Sequence, residues 1–184
     1  MTLPPDLTLR APDGGDVEAI AALVAACDES YRDWAPAGWT PPGPGLELDR
    51  WRGRITDGSW WTRVAVEPGG RVVGLVCFTQ AVAQRPSPAD PPAEAAATLE
   101  PIPHRGHVSA VFTHPDRWRE GIASGMLEHA ETAMRAEGFR EVQLWTPREA
   151  PARRFYEASG WRHDGREQWL ADIGLPIVAY VKPL

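Results

Sequence analysis

The 184-residue sequence predicts a mixed α/β domain. Three observations carry that expectation. β-rich runs and helically spaced apolar residues alternate along the whole chain. Two of the β-rich runs flank Pro68-Gly69-Gly70 as a hairpin. A long amphipathic segment, closed by a glycine, separates two later strands.

The elements read as follows. Leu7 to Arg10 alternates Leu-Thr-Leu-Arg and reads as a first strand. Asp13-Gly14-Gly15 is a turn, with Asp16 in position to cap a helix. Val17, Ile20, Leu23, Val24 and Cys27 then fall at helical spacing. Trp34 to Gly45 is crowded with proline and glycine and reads as a loop. Leu46 to Ile55 reads as a second helix carrying Leu48, Trp51 and Ile55. Trp60 to Val66 and Arg71 to Thr79 are the hairpin strands. Residues 81–105 form a Pro/Ala-rich insert with Pro86, Pro88, Pro91, Pro92, Pro101 and Pro103. A loop of that length suggests function or disorder, and a cover over a binding pocket is the expectation.

His107 to Thr113 is the next strand, stopped by Pro115 and Asp116. A helix from about Arg119 to Glu137 places Ile122, Met126, Leu127, Ala130 and Met134 on one face, and Gly138 ends it. Val142 to Thr146 is a strand. Ala152 to Ala158 is a short helix ended by Gly160. Arg166 to Leu170 and Pro176 to Val181 are two closing strands. No internal repeat or second-domain boundary interrupts this order, so one domain spanning 1–184 is expected.

Composition narrows the partners. The apolar fraction, 43%, suits a globular chain. No apolar run approaches the ~20 residues of a membrane span. The start, Met1 to Asp6, lacks a basic segment followed by an apolar one. Cys27 and Cys77 are the only cysteines, too few for a disulfide framework or a zinc set. A cytoplasmic protein with no membrane partner is expected. Net charge is −6, Arg and Glu are interleaved, and Lys182 is the only lysine, so no basic stripe points to nucleic acid. A homodimer is compatible with the sequence but not specified by it.

The chemistry concentrates in His107 to Ser124, HVSAVFTHPDRWREGIAS. A strand ends, a proline turn follows, and Gly121 sits at the start of the long helix. The free N–H groups of a helix start attract anions, and the dipole adds to the attraction. Gly121 removes a side chain where a phosphate would approach the backbone. Taken alone, this spacing also fits any helix with an early glycine.

This segment resembles the acetyl-CoA motif R/Q-x-x-G-x-G/A of the GNAT superfamily of N-acetyltransferases, with Gly121 and Ala123 as its small residues. Trp118 stands where Arg or Gln is usual. Glu120 stands where a basic or small residue is common, and Arg117 and Arg119 are near enough to offset its charge. Arg154-Phe155-Tyr156-Glu157-Ala158-Ser159-Gly160-Trp161 resembles the family's F-Y-E-x-x-G-F. Arg148 and Glu149 occupy the two positions where that family often has asparagine.

The resemblance implies a mostly antiparallel central sheet flanked by helices, splayed between its fourth and fifth strands. It implies acetyl-CoA as co-substrate, with its pantetheine arm in the splay. Cofactor contacts would come from Val111, Phe112 and Thr113 on the strand, and from Arg119, Glu120, Gly121, Ile122, Ala123 and Ser124 around the pyrophosphate. Direct transfer to a primary amine of a small molecule or peptide would follow. The Val111 N–H would stabilise the oxyanion, and Tyr156 would protonate the leaving thiolate. A CoA-binding module of the same fold with little or no activity is the alternative.

An alkylammonium needs a base at neutral pH. His107 occupies the family's usual glutamate position, and histidine titrates in the right range. Water, or Asp28, Glu29 or Asp33, competes for the role. Tyr31, Asp33, Trp34 and Trp39 would wall the acceptor side, where aromatic faces and a carboxylate suit a cation. The same aromatics could simply pack. Cys77 reads as core, and His104, His107 and His114 show no metal-ligand spacing, so no metal is expected.

Overall fold

A computed structural model of the chain describes residues 3–83 and 100–184. Seven strands form one sheet in the order β1-β2-β3-β4-β5-β7-β6. They are β1 (Thr8–Arg10), β2 (Trp61–Val66), β3 (Val72–Val82), β4 (Pro101–Thr113), β5 (Glu141–Pro147), β6 (Arg162–Leu170) and β7 (Leu175–Pro183). Every neighbouring pair is antiparallel except β4 with β5. Among the described residues four α-helices accompany it: α1 (Val17–Glu29), α2 (Pro44–Asp57), α3 (Ile122–Ala136) and α4 (Ala152–Ala158).

Alternation along β3, stepped by one residue at Val73, which has no partner on β2, builds two cores. Val73, Val76 and Phe78 face α3, joining Ile122, Met126, Leu127, Ala130 and Met134. Val72, Leu75 and Cys77 face the other way, joining Ile20, Leu23, Val24 and Cys27 of α1 and Trp51 of α2. A strand covered on both faces is apolar throughout, which is why Val72 to Phe78 is continuously buried. The apolar stripes expected of α1 and α3 are the stripes that pack.

β6 starts four residues earlier than expected, at Arg162, and α2 is extended to Pro44–Asp57. Three further differences have a local reason. β3 and β4 run into the insert, pairing Gln80 with Gly106 and Val82 with Pro101, and the Ala83 N–H donates to Glu100 O at 2.8 Å. Pro101 and Pro103 are tolerated because β4 pairs with β5 only from Arg105 onward, which leaves that side of the strand without a partner. The Gln80 amide also holds the base, donating to Ile102 O and Arg105 O. The cover expected of the insert falls mainly on residues 84–99, outside the described residues.

Second, Asp13 rather than Asp16 starts the first helical turn, accepting from the Gly15 N–H. Asp16 instead accepts from the Asp13 N–H and pairs with both terminal nitrogens of Arg10 at 2.7 Å. Third, α3 begins at Ile122, because Arg119 (φ 66°) and Gly121 (φ 83°) are left-handed.

β4 carries a bulge. Ala110 opposes Cys77 and Val108 opposes Phe78, so Ser109 is the extra residue. It reverses the alternation: Val108 and Val111 pack with the α3 core, Ala110 and Phe112 with the α1–α2 core.

Trp51 anchors α2. It is 1% exposed, and its indole donates to Glu47 Oε2 at 3.1 Å. The Arg54 guanidinium lies 4.8 Å from its ring. Trp51→Ala should lower stability by about 3–5 kcal/mol, the usual cost of emptying an aromatic core position. Trp51→Phe should lower it by about 1–3 kcal/mol, chiefly by leaving the buried Glu47 oxygen without its indole donor. Urea unfolding of both variants measures the difference.

Candidate functional site

The ladder between β4 and β5 runs from Arg105↔Glu141 to Val108↔Leu144 and stops, while β4 continues to Thr113 and β5 to Pro147. The strands therefore splay immediately after the Ser109 bulge. The His114 N–H bonds Val73 O on β3, so strand alternation turns the main-chain groups of Val111 and Thr113 away from β3, into the splay. On the far side the Arg148 N–H bonds Pro176 O, which by the same alternation turns Trp145 inward. The Thr113 carbonyl already accepts from the Trp118 indole at 2.7 Å and the Cys27 thiol at 3.3 Å. Of its two main-chain groups, the N–H is the one left to a ligand.

Polar atoms collect here without partners. Thr113 Oγ1 and Trp145 Nε1 are buried and make no hydrogen bond among the described residues. Ser109 Oγ faces the Cys77 thiol instead, and the unpartnered His107 Nδ1 and Trp161 Nε1 lie in the closed ladder and the α3 core. Buried groups of this kind are ordinarily paired, and an unpaired one costs about 1–3 kcal/mol. The Thr113 hydroxyl and Trp145 indole, with the outward main-chain groups of Val111 and Thr113, leave this opening lined by unused donors and acceptors.

At the end of β4, residues 114–121 lead into α3. No side chain caps that helix, so the first-turn N–H groups of Ile122, Ala123 and Ser124 are open to an anion. Arg117 holds the loop. Its guanidinium meets Glu120 at 2.7 Å, Asp6 at 3.0 Å and Glu67. Those carboxylates raise its pKa above the ordinary range. Glu120 is thereby drawn onto Arg117, and the charge that seemed to oppose a pyrophosphate is compensated. Arg117 is correspondingly spent, while exposed Arg119 forms no ion pair among the described residues.

Tyr156, on α4, is buried between Phe155, Trp161 and Tyr180, with centroids at 5.3, 6.1 and 6.2 Å. Burial pushes its phenol up to about 12. The Tyr31 phenol is raised by burial and then by the charges of Asp28, Cys27, Tyr156 and Glu47, which brings the end of α1 and α4 into one neighbourhood. Tyr31 also packs with Trp34 (4.7 Å) and Trp39 (5.8 Å), and the Trp39 indole donates to Ile173 O. Asp33 is exposed and stands apart from this cluster.

His107 lies within the closed ladder, opposite Gln143, on the face covered by α1 and α2. Burial, with Arg54 and Arg166 adding to it, pushes the imidazole down to about 4. A base that weak has little pull on an ammonium proton. Burial pushes the Cys27 thiol up to about 12 and raises Cys77, which also accepts from Thr62 Oγ1 at 3.2 Å, so neither is an activated nucleophile. His104 and His114 face different partners, Gly138 O and Arg71 with Asp116.

Asp28 matters more than its sequence position suggested. It is 5% exposed, and burial, with Glu47 adding to it, pushes its carboxyl up to about 7. The signal was periodic: Ile20, Val24 and Asp28 share one stripe, so an acid continues the apolar face of α1. Buried Glu47, its neighbour on α2, carried no such mark.

The acetyltransferase (GNAT) family model matches residues 24–161. Among solved structures, the chain is similar to the PaiA N-acetyltransferase of Thermoplasma acidophilum in complex with coenzyme A (TM-score 0.67, 12% identity, covering 97% of this chain and 99% of that one). It is also similar to a GCN5-related N-acetyltransferase from Kribbella flavida (TM-score 0.66, 18% identity, 98% and 99%). A third is a chimera of Vibrio cholerae spermidine N-acetyltransferase SpeG and hSSAT (TM-score 0.64, 17% identity, 97% and 95%). No curated protein sequence matches the chain.

A carboxyl raised on folding penalises the native state once it ionises. That penalty is absent below the unfolded value and grows as pH rises through the folded one. With Asp28 moved from 3.8 to about 7, Asp28→Asn should melt higher than the parent at pH 8. The gain should shrink as pH falls and vanish below about pH 4. Differential scanning calorimetry across that range measures it, and a constant difference would remove Asp28 as its source.

Proposed function

The chain belongs to the GNAT acetyltransferase family, and from that membership we propose that it is one N-acetyltransferase domain over 1–184, moving acetyl from acetyl-CoA directly to a primary amine of a small molecule or peptide. The observation that carries this is the β4–β5 splay, lined by unpartnered polar atoms and opening toward the uncapped start of α3. The two free cysteines are buried, which suits a reducing compartment, and we assign the protein to the cytoplasm. Among the described residues no helix is long and apolar enough to cross a membrane.

The co-substrate's chemistry matches the residues present. Its amides would meet Val111 and Thr113 main-chain groups, with Phe112 between them. Its pyrophosphate would lie on the N–H groups of Ile122, Ala123 and Ser124, with Gly121 giving room and exposed Arg119 supplying charge. Glu120, held by Arg117, forms the loop without opposing the anion. The thioester carbonyl would rest against the Val111 N–H, which stabilises the oxyanion formed when the amine attacks. Carbon–sulfur cleavage then releases thiolate. Tyr156, at about 12, is a weaker acid than a thiol near 8.5. Full proton transfer is uphill, so the phenol assists by hydrogen bonding.

Gly121→Glu places bulk and negative charge at the helix start and should abolish acetyl-CoA binding, read by calorimetry on a variant with unchanged circular dichroism. Retained affinity would move the phosphate site elsewhere. Thiol release from acetyl-CoA over a panel of polyamines (spermidine included), alkylamines, aminoglycosides, amino acids and peptides tests the activity. At least one amine should turn over, and Tyr156→Phe should slow it up to about a hundredfold, the low end for a general acid. Tight acetyl-CoA binding with no turnover across the panel would favour the non-catalytic CoA-binding alternative.

A further inference from the structure

Among the described residues, the buried carboxylates Asp16, Glu47 and Glu131 are paired and Asp28 is not. Asp16 holds Arg10 and the Asp13 N–H. Glu47 holds Arg50 at 2.5 Å and the Trp51 indole. Glu131 takes the Lys182 ammonium at 2.7 and 2.9 Å. Asp28, as deeply buried as these, makes no hydrogen bond or ion pair among the described residues. The cation whose field acts on it, Arg50, is shared between Glu47 and Asp172. A carboxylate held in low dielectric without a counter-ion is unfavourable, and the Asp28 oxygens are not among the fully enclosed unpartnered atoms, so they are open to something from outside the chain.

Position says what that is. The residue before it, Cys27, donates to the Thr113 carbonyl, so the end of α1 abuts the end of β4 at the mouth of the splay. The Tyr31 phenol lies in the field of both Asp28 and Tyr156. Neither phenol makes a hydrogen bond among the described residues. Charged and titratable neighbours come from every side: Cys27 and Glu29 on α1, Tyr31 after it, Glu47 and Arg50 on α2, and Tyr156 beyond Tyr31.

We propose that Asp28 receives the acceptor's ammonium and takes its proton, in place of His107, and that the acceptor is a primary alkylammonium with no carboxylate beside the amine. This rests on the transferase reading above. The bookkeeping closes. Ammonium nitrogen gives one proton to Asp28 and attacks the thioester carbon as free amine. The carbon–sulfur bond breaks, the nitrogen loses a second proton as the amide forms, and the thiolate gains one with the Tyr156 phenol assisting. The proton on Asp28 passes to water, so each turnover releases one. The acid pair Asp28 and Glu47 repels a neighbouring carboxylate, while Tyr31, Trp34 and Trp39 offer aromatic faces to a cation.

Carbon-13 NMR of the carboxyl groups, with Asp28→Asn for assignment, should show Asp28 titrating near 7; a value in the ordinary carboxylate range overturns the proposal. With the fastest amine of the panel, kcat/KM should fall below about pH 7. Asp28→Asn should lose about a hundredfold or more at pH 8 and replace that limb by a rise toward the amine's own pKa. Asp28→Glu should recover part of the activity, and His107→Gln should keep the limb. Pentylamine should react at least a hundredfold faster than norleucine, the same skeleton bearing a carboxylate. A profile unchanged in Asp28→Asn, or equal rates for the two amines, overturns the proposal while leaving the transferase intact. No turnover with any amine overturns both.

Discussion

The structure depends on a hydrogen-bond ladder that stops. β4 and β5 are the one parallel pair in the sheet, and they stay together for four residues on each strand, from Arg105 to Val108 and Glu141 to Leu144. Closing the remainder would satisfy the main-chain groups of Val111, Thr113 and Trp145, at the expense of the opening. The Ser109 bulge sets where the parting begins. Everything else at the site is arranged around that gap: α3 starts at one end of it, α1 finishes against it through Cys27, and α4 brings Tyr156 near Tyr31.

Stability is conceded at this place. The α3 and α1–α2 cores are continuous and apolar, and the buried carboxylates Asp16, Glu47 and Glu131 are paired with cations. The unpaired Thr113 hydroxyl and Trp145 indole lie along the splay, and the unpaired Asp28 carboxylate lies at the end of α1 that abuts it. Local physical rules that hold through a fold and fail together in one region mark where selection favours something other than folding.

The sequence showed most of what periodicity can show. The stripes of α1 and α3, the hairpin turn and the Gly138 and Gly160 stops all stand where 3.6-residue spacing and left-handed glycines require them. Strand ends were harder to place. Pro101 and Pro103 argue for a loop unless it is known that one side of β4 has no partner there. The splay is an absence of pairing, which no residue spells out, and it entered through family resemblance. A bulge likewise has no residue signature in His107 to Thr113, and simple alternation from His107 would place Val111 on the opposite face from the one it takes. The weakness of His107 as a base comes from burial and from Arg54 and Arg166, which are distant in sequence. Asp28 was readable as an acid on an apolar stripe, but its isolation emerges only once the other buried acids are seen to be paired.

Arg117 has an evolutionary corollary. Glu120 departs from the usual motif and is harmless because Arg117 holds it, and Arg117 is in turn fixed by Asp6 near the N-terminus and Glu67 at the hairpin. These four positions form one heritable unit. A descendant that restores a small residue at 120 frees part of the Arg117 charge for the phosphate loop and relaxes selection on 6 and 67. One that loses Arg117 first leaves three acids facing an anion. The order in which such changes can accumulate is therefore constrained, and conservation at position 6 or 67 in a lineage records the state of position 120.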